Sequence, residues 1–166
     1  MDIVEAAGIR FAVVAGACMG ADFERALEAD LRLAGDGATF STAGVGDPVA
    51  CGVRLARLLG EARAKELILA GRTVDASSAL RLGLVTRTVP GTALGDAARA
   101  LTAQLRALPP LALAAVRDAV RAVRDLTPEA ALQREHEHLR RLIVTQDHKA
   151  AVAAFFERRE PAFTGE

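Results

Sequence analysis

An apolar run, Phe11-Ala12-Val13-Val14, leads directly into A-G-A-C-M-G-A-D-F-E-R-A-L-E-A-D at residues 15–30. The run reads as a buried strand, the small residues around Gly16 and Gly20 as a turn, and the segment from Ala21 as a helix. A strand that enters a helix through a tight, small-residue turn limits the chain to folds built from crossover units. The first amides of such a helix have no partner within it and point outward. The helix dipole adds partial positive charge at that end, so a negative oxygen can be held there. Glu24 and Glu28 come next, one helical turn apart on one face. The plain alternative is a crossover whose small residues serve close packing alone.

The next residues support a crossover. Residues 30–34 (D-L-R-L-A) alternate as a second strand that ends at Gly35-Asp36-Gly37, and residues 38–41 form a short third strand. Strand, helix and strand at this spacing predict a right-handed β-α-β unit. Residues 2–8 read as a helix end or leader that stops at Gly8. Residues 42–52 (T-A-G-V-G-D-P-V-A-C-G) hold three glycines and one proline, and read as a loop. Sites concentrate on loops held by a rigid scaffold.

Helices are expected at 53–59, closed by Gly60, and at 61–70, closed by Gly71. Asp75 caps a third that stops at Gly83, and residues 84–89 alternate as a strand before Pro90. Beyond Pro90 the pattern is helical, with segments at 93–108, 111–126, from Thr127-Pro128, and from Thr145-Gln146-Asp147. Few residues remain to build the sheet that residues 11–14 need. The expectation is therefore that its other strands come from another chain, or that this is the second part of a larger unit.

Composition narrows the function classes. With 51% hydrophobic and 25% charged residues among 166, the chain is a globular domain of the usual kind. Lys+Arg and Asp+Glu are both 21, and there is no Trp or Tyr. Both facts argue against a nucleic-acid footprint or a base-stacking surface. Cys18 and Cys51 make neither a metal-ligand spacing nor a disulfide framework, and Cys18 reads as a packing residue. His136 and His138 read as surface residues without a metal signature. No apolar stretch is long enough to span a bilayer, and the start M-D-I-V-E-A-A-G lacks a cationic leader. The default is a cytoplasmic protein with no membrane or nucleic-acid partner and no metal.

Four ordered blocks then carry a resemblance. Residues 15–30 resemble N-G-x-x-x-G-G-G-x-x-L-A-x-x-C-D, with A-T-F-S next where A-x-F-G is expected. Residues 54–71 (R-L-A-R-L-L-G-E-A-R-A-K-E-L-I-L-A-G) match R-L-x-R-x-x-G-x-x-x-A-x-E-L-x-L-x-G. Residues 74–90 (V-D-A-S-S-A-L-R-L-G-L-V-T-R-T-V-P) match I-x-A-x-x-A-x-x-x-G-L-V-x-x-V-V-P. Residues 145–165 end in F-F-E-R-R-E-P-A-F-T-G, close to A-F-x-E-K-R-x-P-x-F-x-G. In this order the blocks resemble the enoyl-CoA hydratase/isomerase, or crotonase, superfamily from about Ile9 to Gly165.

The resemblance implies an α/β crotonase-like fold of β-β-α spiral type. Residues 1–90 would be a partial, N-terminally truncated core and residues 91–166 a helical region for trimer contacts. It implies an acyl-CoA or acyl-carrier thioester as substrate, with coenzyme A as part of the substrate and no separate cofactor. Two backbone N–H groups would stabilise an enolate. By position Ala21 is one donor, next to Gly20, and Glu24 is the acid/base group. The second carboxylate of hydratases falls at Gly44. Asp47 offers a carboxylate from another place, and Asp22 stands where a glycine is expected, beside the anion site. Arg158 matches a lysine near the nucleotide end of coenzyme A. The other oxyanion donor lies in a segment, A-F-x-A-G-A-D, that this chain does not contain. A homotrimer or hexamer is implied, or a second crotonase-like chain that completes the site. A different class of function, a catalytically impaired subunit serving as a binding or scaffold partner, fits the altered glycine segment.

Overall fold

The computed structural model describes residues 1–46 and 48–166, the side chains of 48–50 excepted. Asp47, the carboxylate offered from another place, lies outside the described residues. Contacts divide the chain into two units: Met1–Glu5 with Arg10–Leu101, and Ala6–Ile9 with Thr102–Glu166.

β1 (Asp2–Ala6) runs into β2 (Ile9–Val14) through Ala7-Gly8. Both turn residues have positive φ, 49° and 76°, the combination required by a two-residue hairpin turn. The expected helix end or leader at 2–8 is thus a strand and a hairpin turn. β3 (Ala17–Cys18), α1 (Ala21–Glu28), β4 (Leu31–Gly35) and β5 (Thr39–Phe40) come after it. Next are α2 (Pro48–Leu59), α3 (Glu61–Leu69), β6 (Val74–Asp75), α4 (Ala76–Leu82) and β7 (Arg87–Val89). The expected loop at 42–52 is therefore irregular only in its first half, because α2 already starts at Pro48. The expected strand at 84–89 shrinks to its last three residues.

Two sheets result, ordered β1-β2-β4-β7 and β3-β5-β6. β2 pairs with β4 in parallel, Phe11 opposite Leu31 and Val14 opposite Ala34, which is the expected β-α-β unit. β4 in turn pairs in parallel with β7. β2 therefore has neighbours on both edges from this chain's own sequence, so the strands expected from another chain are β1 and β4 of this one. Parallel strands covered on both faces read as continuous apolar runs, and Phe11, Ala12, Val14, Leu33 and Ala34 are all buried. The small sheet sets Ala17 opposite Thr39 and Cys18 opposite Phe40. Phe23, Phe40, Leu55 and Leu84 fill the space between these sheets and α1–α4.

One charged side chain is part of this core. Arg32, on β4, is 5% exposed. Its Nε donates to the Leu84 carbonyl at 2.6 Å, and one terminal nitrogen donates to the carbonyls of Ala29 at 2.8 Å and Ala26 at 3.2 Å. Those last two carbonyls belong to the C-terminal end of α1, where the dipole favours a cation. α4 is capped as expected: Asp75 accepts from the Ser78 amide at 2.7 Å, and Gly83 closes the helix with φ 80°.

α5 (Leu94–Arg106) precedes the helices of the second unit, α6 (Pro110–Ala122), α7 (Pro128–Leu142) and α8 (Gln146–Glu157). α6 and α7 are joined through Asp118, which accepts from Arg134 Nε at 2.6 Å and lies 2.7 Å from His138 Nε2. The hydrogen bond from Arg134, then that from His138, holds the Asp118 carboxyl down at about 2. His138 is half-buried in this cluster rather than a surface residue, whereas His136 is exposed. The last helix is tied to the tail. Asp147 is 3% exposed and accepts from the amides of Thr164 at 2.7 Å and Gly165 at 3.1 Å. Among the described residues no helix is long and apolar enough to cross a membrane, and no cluster of side chains could hold a metal ion.

Candidate active site

The turn before α1 has a conformation that only glycine adopts readily. Gly20 sits at φ 57°, ψ −134°, and a β-carbon there would lie 2.9 Å from the Gly44 carbonyl oxygen. The Gly20 amide donates to the Ala43 carbonyl at 2.9 Å. The glycine segment and the loop after β5 therefore meet backbone to backbone. Gly20→Ala is expected to lower the unfolding free energy by about 2 kcal/mol, from backbone strain together with that contact. A urea midpoint equal to that of the parent protein would show that the contact is not tight.

This contact brings sequence-predicted residues together. The first intrahelical bond of α1 is Glu24 N–H to the Gly20 carbonyl, at 3.2 Å. Ala21, at the first helical position, therefore has an amide ahead of that ladder, and the residue is exposed. Glu24 is half-buried one turn on. Its Oε1 accepts from the Gly46 amide at 2.6 Å. Gly44 lies opposite Gly20 with φ 71°. A glutamate at 44 would need the left-handed conformation, which costs a side-chain-bearing residue roughly 1–2 kcal/mol. Gly20, Ala21, Glu24 and Gly44 thus share one small region.

Glu28 does not share it. It makes ion pairs with Arg54 of α2 at 2.8 Å and with Arg10 at 3.9 Å, and so joins α1 to its neighbours. Asp22 is no bare charge beside the helix terminus. Arg25 pairs with it across one helical turn, and that hydrogen bond holds its carboxyl below the usual carboxylate range. Arg158 lies in the second unit, exposed, at the left-handed end of α8 with φ 55°. The Gly46 amide is the participant that motif reading misses. The only signal for it is the glycine density of T-A-G-V-G.

Cys18 is buried beneath the turn. Burial, then the nearby Asp22 charge, pushes its thiol up from 9.0 to about 11. It is a packing residue, as expected from its sequence context. A folded-state pKa above the unfolded one stabilises the protein fully below pH 9, and that contribution is lost as pH rises towards 11. Because the thiolate is the reactive form and Cys51 is buried too, iodoacetamide at pH 8 is expected to label neither cysteine in the folded protein. In urea it should label both. Rapid labelling of Cys18 under native conditions would contradict this burial.

The geometry is a helix terminus whose first residue is exposed, with the Glu24 carboxylate one turn on, oriented by a backbone donor from a second loop. Such an arrangement can hold developing negative charge and move a proton next to it. Comparison with known proteins places the whole chain. The family model described as enoyl-CoA hydratase/isomerase matches residues 1–166. A protein of Arabidopsis thaliana named "Probable enoyl-CoA hydratase 2, mitochondrial" is 34% identical over 158 residues, which is 93% of this chain and 52% of that one. A carnitinyl-CoA dehydratase of Citrobacter koseri is 36% identical over 162 residues, 93% of this chain and 62% of that one. The crystal structure of an enoyl-CoA hydratase subunit I from Geobacillus kaustophilus superposes with a TM-score of 0.85 at 35% identity, covering 94% of this chain and 62% of the other. The chain thus spans between half and two thirds of the length of these relatives. On the family match, the motif blocks and the shared fold, the chain belongs to the enoyl-CoA hydratase/isomerase, or crotonase, superfamily.

Proposed function

We propose that this chain contributes the acid/base carboxylate and one oxyanion donor to a site that acts on an acyl-CoA thioester through an enolate. The observation that carries this reading is the Glu24 carboxylate, held by the Gly46 amide one turn from Ala21, the exposed first residue of α1. The Ala21 amide polarises the thioester carbonyl and meets the negative oxygen as the enolate forms. Glu24 takes or returns the proton at carbon. Coenzyme A enters as part of the substrate, and no separate cofactor is involved. With glycine at 44, Glu24 is the one carboxylate placed here among the described residues, and it serves both directions of proton transfer. That favours isomerase-type chemistry over addition of water between two carboxylates.

Residues 91–166 are proposed as the oligomerisation region of a cytoplasmic homotrimer or hexamer. Phe155 and Phe156, 80% and 78% exposed, with Val152, Leu139 and Ile143 in the same unit, support a surface made for contact between copies. Arg158 is proposed to meet a phosphate of the nucleotide end. A second reading, a subunit that binds thioester or partner without turnover, is favoured by the left-handed Gly44, a glycine at the position where the second carboxylate of hydratases falls.

The test is turnover and binding of a panel of enoyl-CoA thioesters by the purified chain, alone and mixed with a full-length family member. Turnover in either setting supports the first reading. Saturable binding without turnover supports the second. Neither binding nor turnover in both settings overturns the thioester assignment.

A further inference from the structure

A cleft of about 160 Å³ opens where α3, β6 and α4 meet. Its lining includes Leu67 and Val74, 4% and 6% exposed, together with Leu82. Arg63, Arg72, Arg81, Ser78 and Glu66 complete it. Three arginines therefore line it with one glutamate, and Asp75 interacts with Arg81, so the arginines exceed the local carboxylates by one in a chain whose formal charges cancel. Arg72 pairs with Glu66. Arg81 is held by neutral partners, donating to Ser77 Oγ at 2.9 Å and Ser78 Oγ at 2.7 Å, so its direction is fixed while its charge is kept. Asp75 accepts from those same two residues, at Ser77 Oγ and the Ser78 amide, and its charge interacts with Arg81. Arg63 has no carboxylate partner among the described residues.

We propose that this cleft binds a small phosphate monoester with an apolar substituent, at a site separate from Glu24. Guanidinium forks match tetrahedral oxyanions in charge and geometry. The floor of Leu67, Val74 and Leu82 removes the apolar part from water. The cleft's 160 Å³ is close to the ~150 Å³ that takes a group the size of benzene, so the substituent fills it and the phosphate sits at its arginine-lined mouth. The phosphate alone would leave that floor wet, and a neutral apolar molecule would leave the arginine excess uncompensated.

Calorimetric titration of the full chain at low salt tests this with phenyl phosphate, inorganic phosphate and phenol. Phenyl phosphate is expected to bind about tenfold more tightly than either of the other two. Arg63→Gln and Arg81→Gln should each weaken it by about tenfold, since each removes a charge-assisted contact. Arg99→Gln, which breaks a surface pair with Asp96 elsewhere, should change nothing. The substituted side chains are exposed, and matched urea midpoints will confirm that the variants fold. No saturable binding of phenyl phosphate overturns the site. So does binding that survives both substitutions, or inorganic phosphate binding as tightly as the ester. None of these outcomes depends on thioester turnover, so failure here leaves the proposed function standing, and the reverse.

Discussion

Glu24→Gln is expected to reduce kcat for thioester turnover by about 10²–10⁴-fold, the usual contribution of a positioned acid/base group. The substitution is chosen for what it preserves. Glutamine has nearly the same shape, and its side-chain oxygen can still accept from the Gly46 amide that lies 2.6 Å from Glu24 Oε1. The helix terminus and the Ala21 amide stay in place. Only the capacity to carry a proton is lost, so thioester affinity should change little while kcat falls. A drop of three decades corresponds to ~4 kcal/mol of barrier. The measurement is kcat and KM for the parent and variant, with binding monitored separately. An unchanged kcat would remove Glu24 from the mechanism. A rise in KM at constant kcat would make it a binding residue only.

Arg32→Met should lower the unfolding free energy by about 3 kcal/mol, because it leaves carbonyls without a donor they hold in the native state. Methionine keeps much of the apolar stem, so packing loss is small. What goes is the guanidinium that bonds Ala26, Ala29 and Leu84. Removing a buried charge offsets part of that cost, and helix C-terminal carbonyls are where such a charge is best tolerated. Arg32→Lys keeps the charge but not the planar fork, and should fall between parent and methionine. Urea denaturation of the three proteins gives the ordering. A methionine variant within ~0.5 kcal/mol of the parent would mean that the buried network is energetically neutral.

Arg32 also illustrates what the chain makes legible. The alternation of D-L-R-L-A is enough to expect a strand at 30–34, one residue from the observed Leu31–Gly35, and the parallel pairing with β2 comes with the crossover. Nothing local says that the arginine points inward. That depends on α1 ending above it with carbonyls to satisfy, which is a tertiary fact. β1 escapes sequence reading because its hairpin turn is Ala7-Gly8, and an alanine at φ 49° lacks the asparagine or aspartate that usually marks such turns. β3 and β6 are two residues each, too short for any periodicity to register. The start of α2 is hidden because glycine and proline composition outweighs proline's suitability for a first helical turn.

The candidate site divides along the same line. Gly20, Ala21 and Glu24 are contiguous in one turn and helix, so a motif locates them. Gly44 is placed by counting from Phe40. The Gly46 amide cannot be, because its approach to Glu24 depends on how the loop folds back across the glycine segment. Arg158 is found by motif as well, and lies in the other unit. His138 reads as surface because only its neighbours in sequence are visible there, not Asp118 twenty residues earlier.

The meeting of Gly20 and Gly44 has a consequence for how this sequence can drift. The two positions, twenty-four apart in the chain, are in contact, and a β-carbon on the first would press on the carbonyl of the second. Their substitutions cannot have independent costs. The constraint is one-sided: a β-carbon on Gly20 presses on the Gly44 carbonyl, whereas one on Gly44 meets only the Gly20 Cα at 3.7 Å, an ordinary contact, and its cost is the positive φ. A change at 20 must move the loop, whereas a change at 44 needs only its own backbone to adapt, so drift at this meeting starts from the loop side.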